Sequence, residues 1–427
     1  MYSKRQILAP VTALLLSVAL LIMGNGLQTT ILPIRAGLEH FSAIEIGVLG
    51  SSYFVGFIVG CLGVPYLILN VGHIRTFTAL VAIASTASLL HPMIVDPGAW
   101  MMTRLLTGAC LAGLHLIIES WLNERATNET RGLIMSTYIV INFSVITIGQ
   151  LMVMLYEPQS FALFSLASVL VSLAAVPVAL TRSAQPAPIT LVRFNPRKLI
   201  SVSPTGVAGV FLVGLANGSF WALGPVFGQR IGLSVEAIAF FLSVTVIGGA
   251  IAQWPLGRLS DKIDRRLVMV GAAGASTIFS LALASFGDGS TATRLTLAFL
   301  FGATTLPAYA IAVAQTFDHA APGDYVEISA GLLLLNGLGS AIGPLIAAVL
   351  IEMSGAAALY LFIGGVECII VIFALSRIRM REGVPEAEKE DFDLANTGLA
   401  VMVGDAEAME ASPLVGTSDE LKAEENS

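Results

Sequence analysis

Asn25-Gly26-Leu27-Gln28-Thr29-Thr30-Ile31-Leu32-Pro33 is answered, 192 residues later, by Asn217-Gly218-Ser219-Phe220-Trp221-Ala222-Leu223-Gly224-Pro225. Both stretches open on Asn-Gly and close on proline. Working outward at the same offset, Ser42 falls on Ser234 and Gly56 on Gly248. Further along, Asn142 falls on Asn336 and Gly149 on Gly343, with the offset drifted to 194. Residues 1–185 and 204–380 therefore read as two copies of one unit.

The chemistry of that unit is set by hydropathy. The 427 residues are 56% hydrophobic and only 12% charged, against about 25% charged in a soluble domain. The apolar residues form runs long enough to cross a bilayer as helices. The sequence predicts twelve spans, at 7–32, 45–68, 74–95, 99–121, 131–155, 160–181, 204–229, 236–257, 267–286, 292–314, 328–352 and 356–377. Backbone polar groups in lipid need internal partners, so the expected fold is an all-α bundle, six helices plus six. A hydrophobic chain built as a duplicated six-helix half points to a two-lobed secondary transporter with its site between the lobes.

The expected organisation is a first lobe over 1–181, a linker over 182–203, a second lobe over 204–380 and a tail over 381–427. The linker carries Pro186, Pro188, Pro196 and four bases. From Glu382 onward, 13 acidic residues face Lys389 and Lys422, a net of −11. The whole chain is −7, so the body without the tail is +4. Such an acidic, aromatic-poor tail is expected to be disordered.

Loops on the side of both termini hold most of the bases, among them Lys4, Arg5, Arg75, Arg125, Arg131, Arg197, Lys198, Arg258, Lys262 and Arg377; the opposite loops hold Arg35, Arg230 and Arg294. The positive-inside rule places both termini in the cytoplasm. Lys4-Arg5 precedes an apolar run without a small-residue cleavage site, so the first span is expected to be permanent. Cys61, Cys110 and Cys368 fall within spans and read as small buried apolar residues, not a disulfide or metal framework. No nucleophile–base set or phosphate loop appears, which leaves an enzyme reading without support.

Gly257-Arg258-Leu259-Ser260-Asp261-Lys262-Ile263-Asp264-Arg265-Arg266 follows span 8. This stretch resembles the signature loop of the major facilitator superfamily, Gly-x-Leu-x-Asp-Arg-x-Gly-Arg-Arg, with Asp264 where the family prefers Gly. The resemblance implies a gating role for Gly257, Asp261, Arg265 and Arg266. The first-lobe copy, residues 65–75, is degenerate, with Leu69 in place of the Asp. Its Gly72-His73-Ile74-Arg75 is similar to the YcaD-like branch of bacterial inner-membrane facilitators. In span 4, Arg104-Leu-Leu-Thr-Gly108 resembles the family's Arg-x-x-x-Gly segment, associated with proton coupling. Arg104, His115 and Glu119 fall on one helix face within about 60°, which suggests a proton path; the alternative for Glu119 is an ion pair with Arg75 or Arg131. Span 11 continues Gly339-Ser-Ala-Ile-Gly343-Pro344, similar to the Gly-x-x-x-Gly-Pro hinge of efflux members, whereas span 5 has Gly149-Gln150.

In this family spans 1, 4, 5, 7, 10 and 11 line the cavity. Their polar residues here are Asn25, Gln28 and Thr29 on span 1, Asn142 on span 5, Asn217 and Trp221 on span 7, Tyr309 on span 10 (the repeat mate of His115) and Asn336 on span 11. Amides supply donors and acceptors, and rings stack on flat solutes. The expected solute is small, polar, and neutral or weakly charged: a vitamin such as riboflavin, a nucleobase-like compound or another metabolite. Each amide could instead fasten neighbouring helices. Glu367 in span 12 reads either as a packed, protonated acid or as a carrier. The expectation is alternating-access transport across the inner membrane, coupled to protons, by a monomer in the lipid bilayer, without cofactor, metal or nucleic acid. Efflux of amphipathic compounds, or a sensor or assembly role without transport, are the competing readings.

Overall fold

The computed structural model describes residues 11–126, 130–180, 195–287, 289–321, 324–380 and 389. Among these residues twelve helices are long and apolar enough to cross a membrane. Spans 1 to 6 are Thr12–Leu38, Ala43–Val71, His73–Met93, Pro97–Arg125, Gly132–Leu155 and Ala162–Ala179. Spans 7 to 12 are Pro204–Arg230, Val235–Lys262, Arg265–Phe286, Thr291–Phe317, Tyr325–Ser354 and Ala358–Met380. Several start on a local cap. Ser42 caps span 2 in a reciprocal box with Glu45, whose carboxylate accepts from the Ser42 N–H at 2.7 Å. Its repeat mate Ser234 caps span 8 through the Ala237 N–H. Asp96 caps span 4, with Pro97 in the first turn where no N–H is needed.

Span edges depart from the sequence expectation by a few residues. Span 1 continues past Pro33 to Leu38, beyond the expected end at 32; proline is tolerated where neighbouring helices shield the freed carbonyl. Span 5 tightens into a 3₁₀ turn at Met152–Leu155. Span 10 is interrupted: Thr291–Thr305 and Ala308–Phe317 are separate helices, with Leu306 and Pro307 between them. Pro307 lacks the N–H that would continue the ladder. Of the cysteines expected to be buried, Cys61 and Cys110 are, but Cys368 is exposed on span 12, because only one face of that helix turns inward. Within the linker the structure describes a helix over Pro196–Val202. The expected acidic tail lies outside the described residues except for Lys389.

The duplication is carried by close helix approach. A Cβ on Gly56 would run into the carbonyl oxygen of Leu105, bringing spans 2 and 4 together; a Cβ on Gly248 would meet the carbonyl of Phe299, doing the same for spans 8 and 10. Two faces of the bundle then differ. On the face away from the termini, a single apolar core joins both halves, with Ile31, Ile46 and Leu49 packed in one cluster with Leu223, Phe227 and Ala348. Gln229 donates to the Ile34 carbonyl (2.8 Å), and Ser243 to Gln150 (3.3 Å), both across the halves. Toward the termini face the cores separate. The second half has its own cluster around Val210, Met269 and Ile311. Ala330 and Leu334 of span 11 enter the first-half cluster, with Leu333 packed against it.

A central cavity between the halves

A cavity of about 190 Å³ lies where spans 1, 2, 4, 5 and 7 converge, lined by Asn25, Thr29, Tyr53, Phe54, Arg104 and Trp221 among others. The convergence follows from helix periodicity. Asn25 and Thr29 are one turn apart on span 1, and Trp221 stands one turn beyond Asn217 on span 7. Arg104 is 6% exposed and enters from span 4. Its guanidinium stacks on the Tyr53 ring at 4.4 Å, a cation–π contact. Its Nη1 is buried without a partner, as are Asn25 Oδ1 and Gln28 Nε2. Leaving a buried charged donor unsatisfied is among the costliest arrangements in a bilayer-spanning protein. A donor on Arg104 and an acceptor on Asn25 are thus left open on two helices that line one space, with the Gln28 donor one turn away from Asn25.

The remaining residues singled out by sequence lie elsewhere. Gln28 is buried one turn from Asn25 but does not line the cavity. Asn142 donates to the Tyr138 carbonyl on its own helix (3.0 Å), and Asn336 fastens span 11 to the Val210 carbonyl of span 7 (3.2 Å). Asn217 accepts from Thr305 at 3.3 Å. The span 4 stripe does not converge on one point, since Arg104 and Glu119 stand about 22 Å apart along the helix axis. His115 bonds the Leu111 carbonyl of its own helix (2.8 Å). Glu119 accepts from the Tyr138 hydroxyl at 2.7 Å. Tyr309 on span 10 packs against the second-half core around Val210, Met269 and Ile311.

The signature corner is a compact charge cluster. Arg265, 1% exposed, donates to Asp318 (2.8 Å), Ser260 (3.0 Å) and Asp261 (3.1 Å); Ser260 in turn donates to the Gly257 carbonyl (2.7 Å). Asp318 is 2% exposed at its side chain and Asp261 30%, so Asp318 is the nearer and drier partner. Arg266 pairs with Asp264 at 2.6 Å and reaches the Arg377 carbonyl on span 12. Partial burial would raise the Asp264 carboxyl, but its bonds to the Arg266 side chain and N–H hold it below the usual range. The first-half corner carries Gly72 at φ 85° and a buried His73 facing Trp121. Sequence reasoning missed Tyr53, Tyr138 and Asp318. The duplication held a signal for Asp318, since Glu124 stands 194 residues earlier; Tyr53 and Tyr138 carry none that periodicity could isolate.

The comparisons with known proteins follow the same line. Residues 206–415 match the family model of the Major Facilitator Superfamily. The chain is 27% identical over 378 residues to the uncharacterised MFS-type transporter YcaD of Escherichia fergusonii, covering 87% of this chain and 96% of that one. It is 27% identical over 368 residues to the YcaD protein of Escherichia coli, covering 86% and 95%. Among solved structures it superposes on the nucleoside transporter NupG with a TM-score of 0.72 at 11% identity, over 87% of this chain and 99% of that one. A bacterial homolog of the human lysosomal transporter Spinster, inward-facing and occupied, superposes at 0.71 with 14% identity, over 91% and 99%.

Proposed function

From a chain that belongs to the major facilitator superfamily, in its YcaD-like branch, and is thereby a multi-pass membrane protein of secondary transport, we propose the following solute and cycle. The protein carries a small polar organic solute, neutral or weakly charged, with a flat ring and acceptor atoms, by alternating access coupled to protons. The observation that supports this reading is the open hydrogen-bonding pair on the central cavity, Arg104 Nη1 and Asn25 Oδ1. A guanidinium held over the Tyr53 ring favours a planar acceptor such as a carboxylate or ring carbonyl. Trp221 offers the second aromatic surface. A permanent organic cation would meet Arg104 with repulsion and find no carboxylate among the lining residues.

The termini face is the cytoplasmic one in this reading, so the joined core on the opposite face makes the conformation closed to the outside. Glu119 with Tyr138, and His115 one turn away, form the first-half proton path. Whole-cell uptake of a labelled panel of vitamins, nucleobases and sugars tests the function. Accumulation of one flat polar compound, lost in Arg104→Ala at normal membrane abundance, is expected. Uptake of only permanent cations, or unchanged uptake in Arg104→Ala, overturns the reading. A reporter fused after residue 380 checks the orientation: it should be active only as a cytoplasmic fusion.

A further inference from the structure

Glu367 on span 12 is 0% exposed. Its Oε1 accepts from the Thr305 hydroxyl at 2.7 Å and from the Ser276 hydroxyl at 3.3 Å. Its Oε2 is buried with no partner. Span 12 packs on spans 7, 9 and 11 and meets Thr305 of span 10. Ser276 on span 9 and Thr305 on span 10 face Glu367, with Asn217 on span 7 one bond further; Thr277 and Ser280 of span 9 lie against Gly364, and Tyr360 stands two turns earlier on span 12 itself. Arg377 and Arg379 lie in the last turn of span 12, more than two turns beyond Glu367, and four other bases on these helices are engaged elsewhere. Arg230 pairs with Glu352, Arg265 with Asp318 and Asp261, Arg266 with Asp264, and Arg294 with the Gly289 carbonyl. A carboxylate buried in a membrane bundle with hydroxyls for company is costly in its charged form and stable as the neutral acid.

Thr305 is the informative neighbour. It ends the first segment of the interrupted span 10. Its single hydroxyl proton faces two acceptors, Glu367 Oε1 at 2.7 Å and Asn217 Oδ1 at 3.3 Å, and can serve one at a time. A bond to a carboxylate is roughly twice as strong as one to a neutral acceptor. The choice of acceptor therefore follows the charge on Glu367.

We propose that Glu367, Thr305 and Asn217 form a protonation relay that sets whether Asn217 offers its carbonyl to the solute. When Oε2 is ionised, the Thr305 hydroxyl stays on the carboxylate and Asn217 Oδ1 is released toward the space between the halves. When Oε2 takes a proton from water, one O–H bond forms and the carboxylate becomes an acid. The Thr305 hydroxyl then turns to Asn217 and holds it. No electrons change hands, and release returns the proton to water. This deepens the transport reading by giving the second half a proton-responsive group one turn from Trp221, and it rests on that reading for its purpose.

The test needs no solute, so its failure and the failure of the transport reading are separable. Full-length protein in lipid nanodiscs is stepped in pH in H₂O and D₂O while infrared difference spectra are recorded. The C=O band of a buried carboxylic acid should titrate, persist in Glu119→Gln and be lost in Glu367→Gln. Trp221 emission, taken as the difference between the parent and Trp221→Phe, should shift with the same midpoint. Thr305→Val should abolish that shift while the infrared band remains; Thr305→Ser should keep both. A band that survives Glu367→Gln, or an emission shift that survives Thr305→Val, overturns the proposal. If Glu367→Gln does not fold, the Thr305→Val and Thr305→Ser pair decides alone.

Discussion

Where the first half buries the base Arg104, the second has Ala298; where the second buries the acid Glu367 on span 12, span 6 of the first half carries no acid. The corners are unequal in the opposite sense. Arg265 of the second half, clasped by Asp318 and Asp261, stands where the first half has His73 facing Trp121. Leu69 holds the place of Asp261. Yet the glycines at the helix crossings match, Gly56 against Leu105 and Gly248 against Phe299. Close approach is a demand that both halves of the bundle make equally, so it is kept in both. Buried charge is expensive, so it stays only where one half has a use for it.

The corner contrast should give the largest effect. Arg265→Ala strands the Asp318 carboxylate in a dry site and should cost about 3–5 kcal/mol. His73→Ala, at the matching position, loses one ring contact worth about 0.5–1.5 kcal/mol. Thermal unfolding of the detergent-solubilised protein measures both; equal losses would erase the distinction between the corners.

Arg104→Ala sharpens the contrast from the other side. Removing an unpaired buried cation should leave thermal stability unchanged or raised. Solute affinity should fall about 10- to 150-fold, the loss of a charge-assisted bond of roughly 1.5–3 kcal/mol. A steep stability loss without an affinity change would make Arg104 a structural residue like Arg265.

Asn217→Ala removes the second half's amide and should weaken affinity by about one to two decades, from roughly 1–3 kcal/mol, with maximal rate changing less. If Asn25→Ala and Asn217→Ala both leave affinity intact in transport assays, the amides are interhelical fasteners. Asp261→Asn should be the mildest change, below about 1 kcal/mol, because its carboxylate is part exposed and Arg265 keeps Asp318. Asp318→Asn should shift cysteine accessibility from the two membrane sides more than Asp261→Asn does. The reverse order would return the gating weight to Asp261.

Particular residues show how far the sequence could be read. Asn25, Thr29, Trp221 and Arg104 were marked by helical spacing and by their cost in lipid, and they line one cavity. Asn142 and Asn336 were marked by the same repeat, yet each bonds a backbone carbonyl. Repeat symmetry states that two positions are equivalent and is silent on what lies opposite them. The interruption of span 10 was hidden because the stretch around Pro307 is apolar enough overall to read as one span, and proline inside spans 1, 2, 7 and 11 leaves those helices continuous.

The sequence by itself determined the number of spans and the duplication, because each rests on local hydropathy and on residues counted along one chain. The tertiary structure alone decided the pairings: Tyr53 beneath Arg104, Tyr138 on Glu119, Asp318 on Arg265 and Thr305 between Glu367 and Asn217. A pairing depends on how each helix is rotated about its axis and how far it is shifted against its neighbour. Those two quantities are set by packing of the whole bundle, so no single stretch of sequence carries them.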